Sequence, residues 1–189
     1  MLELLKFLNN IYSITPETQQ YLSKVLRKKQ LRKNQVWLQQ DAVCDKIAFI
    51  ETGLLKVYFE SGAKEVCLWY NRENEVIISA RSFFAQTPSM LAIRSVSQAT
   101  LYYIYYAELQ ELYNTHFEFN INGRKILEHY YSLSEQHVSL LLQPAKMRYL
   151  LLTQLYPWML TDKRITDSML ASYLGMTRAS FYALKKDAA

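Results

Sequence analysis

The chain has 189 residues, 50% of them apolar and 21% charged, with a net charge of +5. That composition suits one large or two small globular domains and excludes a disordered chain. No uncharged apolar run approaches the roughly 18 residues of a membrane span, and the opening MLELLKFLNN, interrupted by Glu3 and Lys6, lacks the cleavage site of a signal peptide.

Thr15-Pro16-Glu17 is a helix start: a capping hydroxyl, proline at the first helical position, then an acid near the positive end of the helix. Leu22, Val25 and Leu26 supply that helix's apolar face. RKKQLRK, residues 27 to 33, follows. No apolar stripe accompanies its charges, so it reads as a solvated helix end running into an edge strand, where lysines discourage aggregation, rather than as a nucleic-acid or membrane patch. Residues 35 to 105 hold short β-branched and aromatic runs at close spacing, among them KIAFI at 46, LLKVYFE at 54, EVCLWY at 65 and TLYYIYY at 100. Gly53 and Ser61-Gly62 bracket one of them with turn chemistry. Such a series predicts an antiparallel barrel or sandwich.

After Tyr106 the apolar period lengthens. Residues 107 to 114 read as a short helix and 119 to 143 as a long one. Ile126, Tyr130, Leu133, His137 and Leu140 form a 4-3-4-3 seam, flanked by Leu127, Tyr131, Val138 and Leu142. A helix serving both its own barrel and a partner helix has this width, and the seam is expected to be a homodimer interface. Pro144 ends the helix and begins the next, whose face is Met147, Leu150, Leu151, Leu155 and Met159.

In ITDSMLASYLGMTRASFYALKK, residues 165 to 186, a short apolar-patterned segment is interrupted at Gly175 and a second helix opens at Thr177. Ala171 and Gly175 stand four apart, as two closely crossing helices require. The second helix exposes Thr177, Arg178, Ser180, Tyr182, Lys185 and Lys186 and no acid, so the segment reads as a helix-turn-helix aimed at a DNA groove. Thr166, at its start, joins these as a candidate DNA contact. From residue 144 onward seven basic residues stand against three aspartates, so most of the chain's excess positive charge lies here. Phosphate neutralisation requires such a concentration.

Strand barrel, long helix and helix-turn-helix together resemble the Crp/Fnr family of bacterial transcription regulators over nearly the whole chain. The matching stretches are Phe49-Ile50-Glu51-Thr52-Gly53, Ser61-Gly62 followed by Glu65, Pro144-Ala145-Lys146-Met147-Arg148-Tyr149, and Ala171 to Thr177. Ser82-Phe83-Phe84 and Pro88-Ser89 resemble pairs kept by a subgroup common in Bacteroidetes. The resemblance implies an α+β fold: a β-roll sensor over residues 1–115, a dimerisation helix over 116–143 and a DNA-binding unit over 144–189. It implies double-stranded DNA, a second copy of the chain, RNA polymerase and an unidentified small-molecule effector as partners, in the cytoplasm and with no membrane.

Two departures from the family pattern matter. Cyclic-nucleotide-binding members hold the ribose and cyclic phosphate with a Gly-Glu and an Arg-Ser pair; the corresponding positions here are Ile78-Ser79 and Pro88-Ser89. A buried phosphodiester without its guanidinium is an unpaired charge, and neither Arg81 nor Arg94 is expected to replace it. Cyclic AMP is therefore not the expected ligand, no cofactor is expected, and Ile78, Ser79, Phe83, Pro88 and Ser89 are the candidate effector-pocket residues. The family's central recognition-helix arginine is replaced by Tyr182-Ala183, and the β-hairpin wing is not found before Ala189. Fewer contacts predict weaker, less selective binding. The alternative is a ligand-binding or protein-interaction module whose helix-turn-helix no longer reads DNA.

Enzyme chemistry finds no footing. A cupin-type metal site needs histidines on strands, whereas His116, His129 and His137 lie in or beside predicted helices. Cys44 and Cys67 fit neither a disulfide framework, a zinc site nor an iron–sulfur cluster. No phosphate loop or nucleophile elbow is present.

Overall fold

A computed structural model describes residues 1–62 and 64–187. Two amino-terminal helices, α1 (Leu2–Ile11) and α2 (Pro16–Val25), precede eight strands: β1 (Arg27–Leu31), β2 (Val36–Leu38), β3 (Lys46–Thr52), β4 (Leu55–Ser61), β5 (Lys64–Asn71), β6 (Val76–Ile77), β7 (Ala92–Ser95) and β8 (Ala99–Tyr105). A short helix, α3 (Ala80–Ala85), lies between β6 and β7. Then come α4 (Tyr106–Thr115), α5 (Phe119–Leu141), α6 (Ala145–Leu155), α7 (Pro157–Thr161), α8 (Asp167–Tyr173) and α9 (Arg178–Asp187).

The strands form two antiparallel four-stranded sheets, ordered β1-β8-β3-β6 and β2-β7-β4-β5. This is the expected antiparallel roll. The basic run after α2 is an edge strand, pairing only with β8, and all of its residues but Leu31 are exposed. Thr15 caps α2 by accepting the Thr18 N–H at 3.2 Å, which satisfies one donor of the first turn. The expected helix at 107 to 114 is present as α4, with Glu108 accepting the Tyr105 N–H at 3.1 Å. The turn after β3 works because residue 53 has no side chain: a Cβ on Gly53 would lie 2.5 Å from that of Ala99.

The two faces of the first sheet do different work. Ile50 and Leu101, in register and fully buried, belong to the interior of the roll. Ile47 with Ile104, and Phe49 with Tyr102, are the pairs of the opposite face. α1, α2, α4 and α5 cover that face and leave an apolar cavity of about 130 Å³ beneath them.

α5 runs past the roll and carries the carboxy-terminal helices back against it. Its buried residues include His137 and Leu140, whereas Leu127, Tyr131, Val138, Leu141 and Leu142 are exposed. The seam expected to meet a partner is therefore turned toward the chain's own roll and carboxy-terminal helices. Both stripes have helical spacing; the one facing inward is the more continuous, because the roll and α8 together demand more apolar surface than the roll alone. No helix among the described residues is long and apolar enough to cross a membrane.

Candidate nucleic-acid interface

α8 and α9 form a helix-turn-helix closed by its turn chemistry. The Thr166 hydroxyl accepts the Met169 N–H at 3.3 Å and so caps α8. Gly175, at φ +59°, takes the left-handed conformation that ends the helix, and the Met176 N–H returns to the Ala171 carbonyl at 3.0 Å. Thr177 then starts α9, its hydroxyl accepting the Ser180 N–H at 3.1 Å. Phe181, fully buried and 5.6 Å from the Tyr149 ring, fixes α9 on α6.

The Pro-Ala-Lys-Met-Arg-Tyr stretch has a specific task here. Arg148 donates from Nη1 to the carbonyls of Leu174 at 2.5 Å and Gly175 at 3.1 Å. It thereby satisfies acceptors that the end of α8 leaves open. A Cβ on Gly175 would stand 3.2 Å from that same Nη1.

All seven sequence-predicted DNA contacts, Thr166, Thr177, Arg178, Ser180, Tyr182, Lys185 and Lys186, lie on the exposed surface, but they are not equivalent. The Thr166 and Thr177 hydroxyls act as helix caps, and the Thr177 and Ser180 hydroxyls are 2.8 Å apart. Lys185 donates to Asp167 at 2.8 Å, so its charge is partly neutralised. Arg178, Tyr182 and Lys186 have no ion pair among the described residues and stand free on the outer face of α9. Fewer of this region's basic residues are free than a count suggests. Arg148 is a cap, and Arg164 is bound by Asp162 at 2.6 Å and Glu73 at 2.5 Å. These bonds from Arg164 hold the Asp162 carboxyl below its usual range.

The helix-turn-helix is docked on the roll through α8. The Cys67 N–H donates to the Ser172 hydroxyl at 3.0 Å, the Tyr70 hydroxyl to the Met169 carbonyl at 3.2 Å, and Arg164 reaches Glu73 beside β5. Tyr173, fully buried, is surrounded by Trp69, Tyr70, Tyr156 and His137. The His137 ring stacks on it at 4.3 Å, and its Nδ1 is buried without a hydrogen-bond partner. Desolvation pulls the His137 pKa down to about 4, and burial pushes the Cys67 thiol up to about 11. An apolar groove of about 560 Å³ runs between β4–β5, α5 and α8, bordered by Val57, Trp69 and His137.

The five effector-pocket candidates do not converge on one pocket. Ser79 and Ser89 are buried and bonded to each other at 2.8 Å, and Ser89 also donates to the Leu91 carbonyl at 2.7 Å. Phe83 is fully buried against Phe84 and Tyr106. Pro88 is exposed and forms a bridge with Val43. Ile78 borders both the groove and the cavity. Neither nearby arginine points to a vacant anion site: Arg94 pairs with Glu65 and lies 4.7 Å over the Tyr58 ring, and Arg81 contacts the Met90 sulfur. The two cysteines are buried free thiols, and no cluster of metal-ligating side chains occurs among the described residues.

The Arg164–Glu73 bridge and the Cys67–Ser172 bond join residues 91 and 105 positions apart. No local signal marks such pairs. The exposed stripe of α5 was visible as Leu127, Tyr131 and Val138, but nothing in the spacing said which stripe faced inward.

Solved structures with this arrangement are similar over most of their length. FixK2 from Bradyrhizobium japonicum superposes with a TM-score of 0.72 at 14% identity, over 86% of this chain and 84% of that one. A protein from Eubacterium rectale, assigned as a Crp/Fnr-family transcriptional regulator, gives 0.71 at 13% identity over 92% and 83%. The chain has the fold of the Crp/Fnr regulators. The c-di-GMP-responsive global regulator CLP from Xanthomonas campestris shares that fold, with a TM-score of 0.69 at 14% identity over 92% and 91%. No protein-family model and no curated protein matches the sequence.

Proposed function

We propose that the chain is a homodimeric, DNA-binding transcription regulator of the Crp/Fnr family that does not respond to cyclic AMP. The observation that carries the reading is α9, buried on one side through Phe181 and presenting on the other Arg178, Tyr182 and Lys186, which have no ion pair among the described residues. Arg178, in its first turn, has the reach for a bidentate contact to guanine, and Lys186 for a backbone phosphate.

The dimer seam in this reading is the exposed stripe of α5: Leu127, Tyr131, Ser134, Val138 and Leu141. Their 4-3-4-3 spacing is that of a coiled-coil contact. What argues against cyclic AMP is that Ser79 and Ser89, both buried, satisfy each other, and Arg94 is taken up by Glu65. Selection of binding sites from a random duplex pool tests the function. A dimer enriches a two-fold symmetric site with half-sites about one helical turn apart. Enrichment of no sequence leaves a module whose helix-turn-helix does not read DNA.

A further inference from the structure

We propose that the cavity beneath the amino-terminal helices binds a small neutral molecule with a hydrocarbon body of about six carbon atoms and one hydrogen-bond acceptor. Close-packed cores hold few voids larger than a water molecule, yet this one measures about 130 Å³. Its walls include Leu8, Leu22, Ile104, Leu112, Phe119 and Ile126. An apolar cavity of about 150 Å³ with such walls stays dry and takes benzene. A charged ligand is excluded, since its charge would find no partner there.

The mouth supplies the polar contact. Phe84, Tyr113, Gly123 and Leu127 border both the cavity and a surface groove outside it. The Tyr113 ring fits there only because residue 123 is glycine: a Cβ would lie 2.5 Å from the phenol oxygen and 2.7 Å from Cε1. Burial raises the pKa of this phenol, so it stays a donor. Arg124 and Glu128, in the outer groove, pair with each other and offer no free charge.

An occupant would press on α5, which contributes Gly123, Ile126, Leu127 and Tyr130 to the cavity wall. The Tyr130 hydroxyl also accepts the Val76 N–H at 2.7 Å, and the same helix carries His137 against Tyr173 of the reading head. The role of the molecule as an effector rests on the regulator reading above; the binding site rests on the cavity alone.

Methyl NMR titration of the full chain tests it, with benzene, cyclohexanone and cyclohexylammonium as probes. Benzene and cyclohexanone should give saturable millimolar shifts at the methyls of Leu8, Leu112 and Ile126, and cyclohexylammonium none. Tyr113→Phe should weaken cyclohexanone about fivefold, the loss of one hydrogen bond, and leave benzene unchanged; equal effects on both remove the assigned acceptor. Leu112→Phe fills the cavity and should abolish both, and Leu22→Phe does so from another wall should the first variant not fold. Absence of saturable shifts, or undiminished binding in a folded filled variant, overturns the site. A chain that binds DNA and neither probe loses the site alone; one that takes both probes and no DNA keeps the site and loses the regulator reading.

Discussion

Acid should loosen the reading head through His137. The ring is buried, stacked on Tyr173 at 4.3 Å and edge-on to Trp69 at 5.6 Å, with Nδ1 unpartnered. Desolvation lowers its pKa to about 4, against about 6.5 for an unfolded chain. Between these values the unfolded state binds the proton and the folded state does not, so stability rises with pH across the window. The contribution is fully present above about pH 6.5 and declines as pH falls toward 4. From pH 7.5 to pH 5 the loss is about 2 kcal/mol, from roughly 1.4 kcal/mol for each pH unit in which only the unfolded ring is charged. Urea unfolding followed by circular dichroism at the two pH values measures it. His137→Phe keeps the stack and cannot protonate, so the wild-type loss should exceed the variant's by that amount. Equal pH dependence in both proteins, or a His137 pKa near 6.5 by NMR, would refute the reasoning.

Gly175→Ala should cost about 1–2 kcal/mol by forcing a side chain into the left-handed region, and urea unfolding reads the change. Arg148→Met should cost about 1–3 kcal/mol by stranding the Leu174 and Gly175 carbonyls. Because both changes act on one turn, the double variant should lose less or more than their sum. Val138→Glu places a charge in the proposed seam of both copies, and sedimentation should show dimerisation weakened by at least about 100-fold, or ~3 kcal/mol. An unchanged dimer would move the interface elsewhere. Arg178→Ala should weaken DNA binding by about 1–3 kcal/mol, more on a selected site than on random duplex; equal losses would leave Arg178 a phosphate contact.

The fold was legible wherever the determinants were local. Thr15-Pro16 marked α2, the alternating run at Leu55, Val57 and Phe59 marked β4, and the Gly175 break with Thr177 behind it marked the helix-turn-helix. What escaped depended on which faces meet after folding. His137 lies on a stripe that suits a partner helix equally well, and only the docking of α8 on β5 turns it inward. Basic residues likewise looked interchangeable along the chain. Folding makes Arg148 a cap, Arg164 an ion-pair bridge and Arg178 a free cation. Ser79 and Ser89 stood out by position, but their mutual bond is a tertiary fact.

A gel shift with random duplex at low salt reads contact between α9 and DNA. Retardation is expected at micromolar protein, weakening as salt is raised because Arg178 and Lys186 displace counterions from phosphates. No retardation under those conditions would contradict that contact.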